Sequence, residues 1–146
     1  MKRLLLALAT GWMLLAAQTW ASAPAGEALS AEDCRDIRAV VEAQLDAFRQ
    51  DDAARAFGYA SRGIRATFDT PDAFMHMVRT AYAVVYRPRS VAFEPPVIVA
   101  GEVLQPVRMT DAQGRAWLAI YPMQRHPDGS WRVNGCQLAQ LPGEPT

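Results

Sequence analysis

A chain of 146 residues has room for one domain with a sizeable core. Fifteen basic and fifteen acidic side chains leave a formal net charge of zero, so no basic surface for nucleic acid is implied. Lys2 is the only lysine and falls in a leader segment, which removes lysine Schiff-base chemistry from the mature domain.

The chain begins with the positive pair Lys2 and Arg3. The apolar run "LLLALATGWMLLAA" follows, then the small-residue stretch "TWASAPAG". This is the three-part layout of a secretory signal peptide, and the run is shorter than the roughly 20 residues a membrane span needs. The expected division is a signal peptide over 1–21, cleaved after Ala21, a flexible leader over 22–29, one domain over 30–141 and a flexible tail over 142–146. The mature protein is then periplasmic or secreted, with no stable membrane span after cleavage. Losing Lys2 and Arg3 leaves 13 basic against 15 acidic residues, a formal charge of −2.

Ser30 and Asp33 have the spacing of a helix-start capping box. Ile37, Val40, Val41, Leu45 and Phe48 then recur on one face of a helix. Asp51 and Asp52 suit a break and a new cap. "AARAFGYA" reads as a second, short helix that ends at "SRG". Thr70, Pro71 and Asp72 start a third, with Phe74, Met77, Val78, Ala81, Tyr82 and Val85 on its buried face. After "RPR" the pattern turns to strands in "SVAFEPPVIVAGEVLQPVRM", "AWLAIYPMQR" and "SWRVNGCQL", separated by the turns "TDAQGR" and "HPDGS". Helices followed by an antiparallel meander predict an α+β domain.

The run from Val40 to Phe93, with "GRAWLAIYPMQRHPDGSWRVNGC", is similar to exported bacterial proteins of the domain of unknown function 4864 family. The element order also resembles the nuclear transport factor 2-like superfamily. That resemblance implies a cone-shaped α+β fold, with N-terminal helices packed on the concave face of a curved, mostly antiparallel sheet. It implies no particular activity.

Few residues suggest catalysis. His76 points away from the apolar face of its helix, and His126 sits in a polar turn. The two cysteines and two histidines lack the short spacing of zinc ligands. Phosphate loops, nucleophile elbows and H-E-x-x-H are absent from the sequence. No catalytic residue, metal or cofactor is therefore expected.

Gln44 lies near the line through Ile37 and Phe48, so its amide is directed at the core. Tyr82 and Tyr86, four apart, could rim a cavity between helices and sheet. The last strand leaves two registers open. In strict alternation Arg132, Asn134 and Cys136 share the inner face and make a polar, cationic cavity. A bulge at Gly135 instead puts Trp131, Val133 and Cys136 there, and the better core residues favour the bulge. In an exported chain the cysteine pair suggests a disulfide between Cys34, on the first helix, and Cys136 on the last strand. The strand "AWLAIYPM" is apolar on both faces, so its outer face predicts a homodimer or partner contact. The leading function is a non-enzymatic binding or interaction module, with a small-molecule ligand at Gln44, Tyr82, Tyr86, Arg132 and Asn134. The alternative is an isomerase or dehydratase-like enzyme using the concave cavity, for which Tyr82, Tyr86 and Asp69 are the available groups.

Overall fold

The structure, a computed structural model, describes residues 28–143. The expected signal peptide, most of the leader and residues 144–146 of the tail lie outside the described residues.

Five helices come first. α1 (Ala31–Arg49) starts at the capping box: Ser30 Oγ accepts from the Asp33 amide at 3.0 Å and Asp33 reaches back to the Ser30 amide at 3.3 Å. Ile37, Val41, Gln44, Leu45 and Phe48 form its buried stripe. α2 (Ala53–Gly58) is capped by Asp52. α3 (Arg62–Phe68) occupies the segment where the second helix was expected to end. The correction has a local cause. Ser61 is an N-cap, accepting from the Ile64 amide at 3.2 Å, and Gly63 inside the helix is a weak breaker. α4 (Pro71–Ala81) starts at Thr70 with Pro71 in its first turn, as expected. The chain breaks at Tyr82 (φ −128°, ψ 49°), so the last turn is a separate α5 (Ala83–Tyr86).

Six antiparallel strands follow: β1 (Ser90–Phe93), β2 (Val97–Val99), β3 (Glu102–Thr110), β4 (Ala116–Arg125), β5 (Trp131–Val133) and β6 (Gln137–Gln140). β1 and β2 share one edge of β3, while β5 and β6 share the far edge of β4. The sheet curls into a half-barrel, and the whole is the cone-like α+β fold. Val107, Met109, Ala119, Tyr121 and Met123 face inward and are buried with the helix stripes. Burying a side chain such as Ile37 or Phe48 stabilises the fold by about 1.5–3 kcal/mol each.

Two polar anchors hold the ends of this arrangement. Trp131 donates its indole N–H to Asp33 at 3.2 Å, and Arg125 pairs with the same carboxylate at 3.2 Å. The start of α1 is thereby fixed to the β4–β5 end of the sheet. At the β3–β4 turn, burial works against the charge of Asp111. Hydrogen bonds from the Trp117 indole, from Arg115 and from the Gln113 amide outweigh it and hold the carboxyl down to about 2.

The last strand settles the register. Val133 faces Met123 and Gln137 faces Ile120. Between these pairs Asn134, Gly135 and Cys136 run opposite only Tyr121 and Pro122. One extra residue on one strand is a bulge. Gly135 adopts φ +143°, a region L side chains rarely enter.

A Cβ at Gly135 would meet nothing within 4 Å, so Gly135→Ala isolates the backbone cost. We expect a loss of about 1–3 kcal/mol in urea unfolding. An unchanged midpoint would show that the bulge does not depend on glycine.

Candidate functional site

α1, α3 and α4 cross the inner sheet face without filling it. Between them lies a pocket of about 520 Å³. This is within the roughly 300–1,000 Å³ range of small-molecule sites. Aromatic rings make one wall. Phe74 packs against Phe48, Phe57 and Phe68 in tilted and edge-on pairs at centroid distances of 6.1, 5.5 and 5.7 Å, and three of these four rings (Phe48, Phe68 and Phe74) line the pocket. Met77, Val78 and Val85 continue the helical side, and Tyr121, Val133 and Cys136 form the sheet side.

The structure divides the five expected ligand residues. Gln44 lines the pocket and is only 2% exposed. Its Nε2 donates to the Ala56 carbonyl at 3.1 Å, so the amide also ties α1 to α2. Tyr82, at the break between α4 and α5, lines the pocket as well. Tyr86 does not. It donates its hydroxyl to Asp51, with the guanidinium groups of Arg79 and Arg87 at 5.5 and 4.2 Å from its ring. Arg132 and Asn134 are not among the pocket's lining residues either, because strand alternation puts them opposite Trp131 and Val133, and the bulge after Val133 brings Cys136 to the Trp131 side instead. Asn134 instead accepts from Ser61 Oγ at 2.7 Å, and Arg132 donates to the Trp131 carbonyl at 3.2 Å. The polar, cationic version of the cavity is corrected accordingly.

The expected disulfide is corrected too: Cys34 and Cys136 are free thiols. Cys34 sits beside Asp33 in the first turn of α1, at the Trp131 end of the sheet. Cys136 lies past the bulge, in the pocket with Gln44, ten residues further along α1. The two thiols are not at disulfide distance, so no bridge joins them.

Tyr121 and Cys136 are the polar groups of the sheet wall. Burial raises the Tyr121 phenol well above its usual range, with the neighbouring Cys136 adding to the shift. Burial also pushes the Cys136 thiol up to about 12, against a smaller opposing contribution from Tyr121. Both groups stay protonated at neutral pH. The two are close enough to influence each other, yet the Tyr121 hydroxyl has no partner in hydrogen-bonding geometry.

The sequence reading missed Tyr121 as a site residue, and missed Ile64 and Phe68 of α3. Tyr121 carried a usable signal. It is the one polar-tipped side chain on the inner face of an otherwise apolar β4 segment, Ala119 to Met123. Asp69 and His76 are exposed, and neither these nor His126 lines the pocket. Among the described residues no group of three or more His, Cys, Asp or Glu could hold a metal ion, and no helix is long and apolar enough to cross a membrane.

Residues 30–146 match the family described as Domain of unknown function (DUF4864), and the chain belongs to that family. No curated protein and no solved structure matches it.

The thiol geometry has a direct chemical readout. Intact mass after alkylation without reductant should show two modified cysteines. In the folded protein at pH 8, Cys136 should react on the order of 10³-fold more slowly than in urea, since the thiolate is the nucleophile. Comparable rates in the two states would mean that Cys136 is not buried as described.

Proposed function

We propose that the chain is an exported, non-enzymatic binding module whose pocket takes a neutral, largely apolar small molecule. The observation that carries this reading is the composition of the pocket wall. Its residues include no carboxylate, imidazole or guanidinium. Proton transfer at carbon or oxygen needs a titratable group within hydrogen-bond reach of the reacting atoms. The isomerase or dehydratase alternative depended on Tyr82, Tyr86 and Asp69. Only Tyr82 lines the pocket, and no carboxylate or histidine stands with it there. A charged ligand would lose its hydration without gaining a counter-ion. Export rests on the N-terminal layout of Lys2, Arg3, the apolar run and the small residues after it.

Nile red, a neutral apolar dye, is a suitable probe. It should bind with increased fluorescence, and Thr67→Trp, at an exposed position of the pocket lining, should weaken binding by about tenfold or more. Equal binding by the wild type and the variant would overturn the assignment to this pocket.

The outer sheet face supports a second element of the proposal, self-association. Leu104, Pro106, Leu118, Ile120 and Pro122 share that face and are only half-buried, while Val97 and Val99 beside them are exposed. Trp117 belongs to the inner side, so Leu118 is the position to change. We expect light scattering to find a dimer that Leu118→Arg converts to a monomer. A wild-type monomer at high concentration would end this element and leave the pocket untouched.

A further inference from the structure

We propose that the Tyr121 hydroxyl is the polar anchor of the pocket, donating a hydrogen bond to a neutral oxygen acceptor, such as a ketone or ester carbonyl, on an otherwise apolar ligand. This rests on the pocket being a ligand site and specifies what the ligand carries.

The argument starts from an imbalance. Tyr121 is 1% exposed, and its ring belongs to the pocket wall. A buried hydroxyl is normally paired, because an unmade hydrogen bond in an apolar setting is costly. Gln44, in the same wall, has its partner in the Ala56 carbonyl. Tyr121 has none. Phenylalanine would pack equally well on the inner face of β4, so packing alone does not account for the oxygen.

Protonation decides the direction of the bond. Tyr121 keeps its proton at any physiological pH, and so does the Cys136 thiol beside it. The phenol is therefore a donor in search of an acceptor. The absence of a cation from the wall favours a neutral acceptor over a carboxylate. The hydroxyl has almost no surface of its own open to the pocket, so a ligand oxygen reaches it only as the wall gives. Cys136 is the neighbour most easily turned. Its polar contacts are weak, a long 4.0 Å reach from Sγ to the Gln137 carbonyl and the neighbouring Tyr121 hydroxyl, and its side chain has a single rotatable bond to the sulfur.

The test uses the purified protein, with 2-undecanone and undecane as competitors of Nile red. Undecane has no acceptor, so the ratio of the two affinities isolates the carbonyl. Tyr121→Phe should lower the ketone-to-alkane ratio by about tenfold. The same variant should raise Tm by several degrees, since it removes an unpaired buried hydroxyl. In the wild type, the infrared carbonyl stretch of bound 2-undecanone should shift to lower frequency, a readout that needs no variant. An unshifted carbonyl band, or a ratio unaltered in Tyr121→Phe, would overturn the anchor while leaving the pocket as a site. If neither competitor displaces the dye, the pocket assignment falls and the anchor falls with it.

Discussion

The inner surface of the sheet depends on one extra residue. Without the bulge at Gly135, the alternation that buries Trp131 and Val133 would carry Cys136 and Leu138 to the opposite side. With it, all four point inward, on both sides of the interruption. β5 and β6 can then serve as one lane against β4, although neither exceeds four residues. Plain alternation places Arg132 and Asn134 outward from Trp131 and Val133, which keeps a guanidinium out of the cavity. Asn134, once outside, becomes the acceptor for Ser61 Oγ, and Ser61 is the cap that starts α3. The Ser61 amide also donates to the Val133 carbonyl at 2.8 Å. The bulge thus shapes the sheet wall of the pocket and fixes where the opposing helix begins.

Much of this was legible in the chain itself. The Ser30–Asp33 box, the stripe through Ile37 and Phe48, and the Thr70–Pro71 start are local signals, and local physics is what sequence patterns report. The burial of Gln44 followed from its angle on α1. The bulge was one of two open registers, and the preference of Trp131 and Val133 for the core decided it. Ser61 was harder to read. A serine followed by Arg62 and Gly63 fits the end of one helix as well as the start of the next, and its cap is supported by contacts 73 residues away in the chain. The thiol pairing failed for a different reason. Periodicity gives the face of a helix on which a residue lies, but not how far along the sheet that helix is shifted. The Trp131–Asp33 contact sets that shift and separates Cys34 from Cys136.

The polar groups of the domain fall into two kinds. Asp33, Asp111 and Gln44 are hydrogen-bonded, and each ties together parts of the chain that would otherwise drift apart. Asp51 joins them at the surface. It has a positive φ of 54°, an unusual conformation for a side chain larger than glycine, and it gathers Arg79, Arg87 and Tyr86 around one carboxylate. Arg87 also donates to the Phe48 carbonyl at 2.7 Å, so the end of α1 and the α4–α5 corner are held as a unit. Tyr121 is of the other kind, a buried hydroxyl with only the weak Cys136 thiol beside it; Gln105 Oε1, His126 Nε2 and Arg132 Nε are also left without a hydrogen bond. Departures from local satisfaction of this sort concentrate where proteins meet something other than themselves.

The helices around the pocket are unequally secured. α1 is capped, striped and tied at both ends, and α4 contributes Phe74, Met75 and Val78 to the core. α3 has no buried residue, and its seven residues are held by the Ser61 cap at one end and by Ile64 and Phe68 resting on the core. A short helix with so little burial has a low free energy of local opening. Its amide hydrogens will therefore exchange with solvent well ahead of those in α1 and α4. Because α3 also lines the pocket through Ile64, Thr67 and Phe68, its opening would bare that side of the cavity while the rest of the domain stays shut.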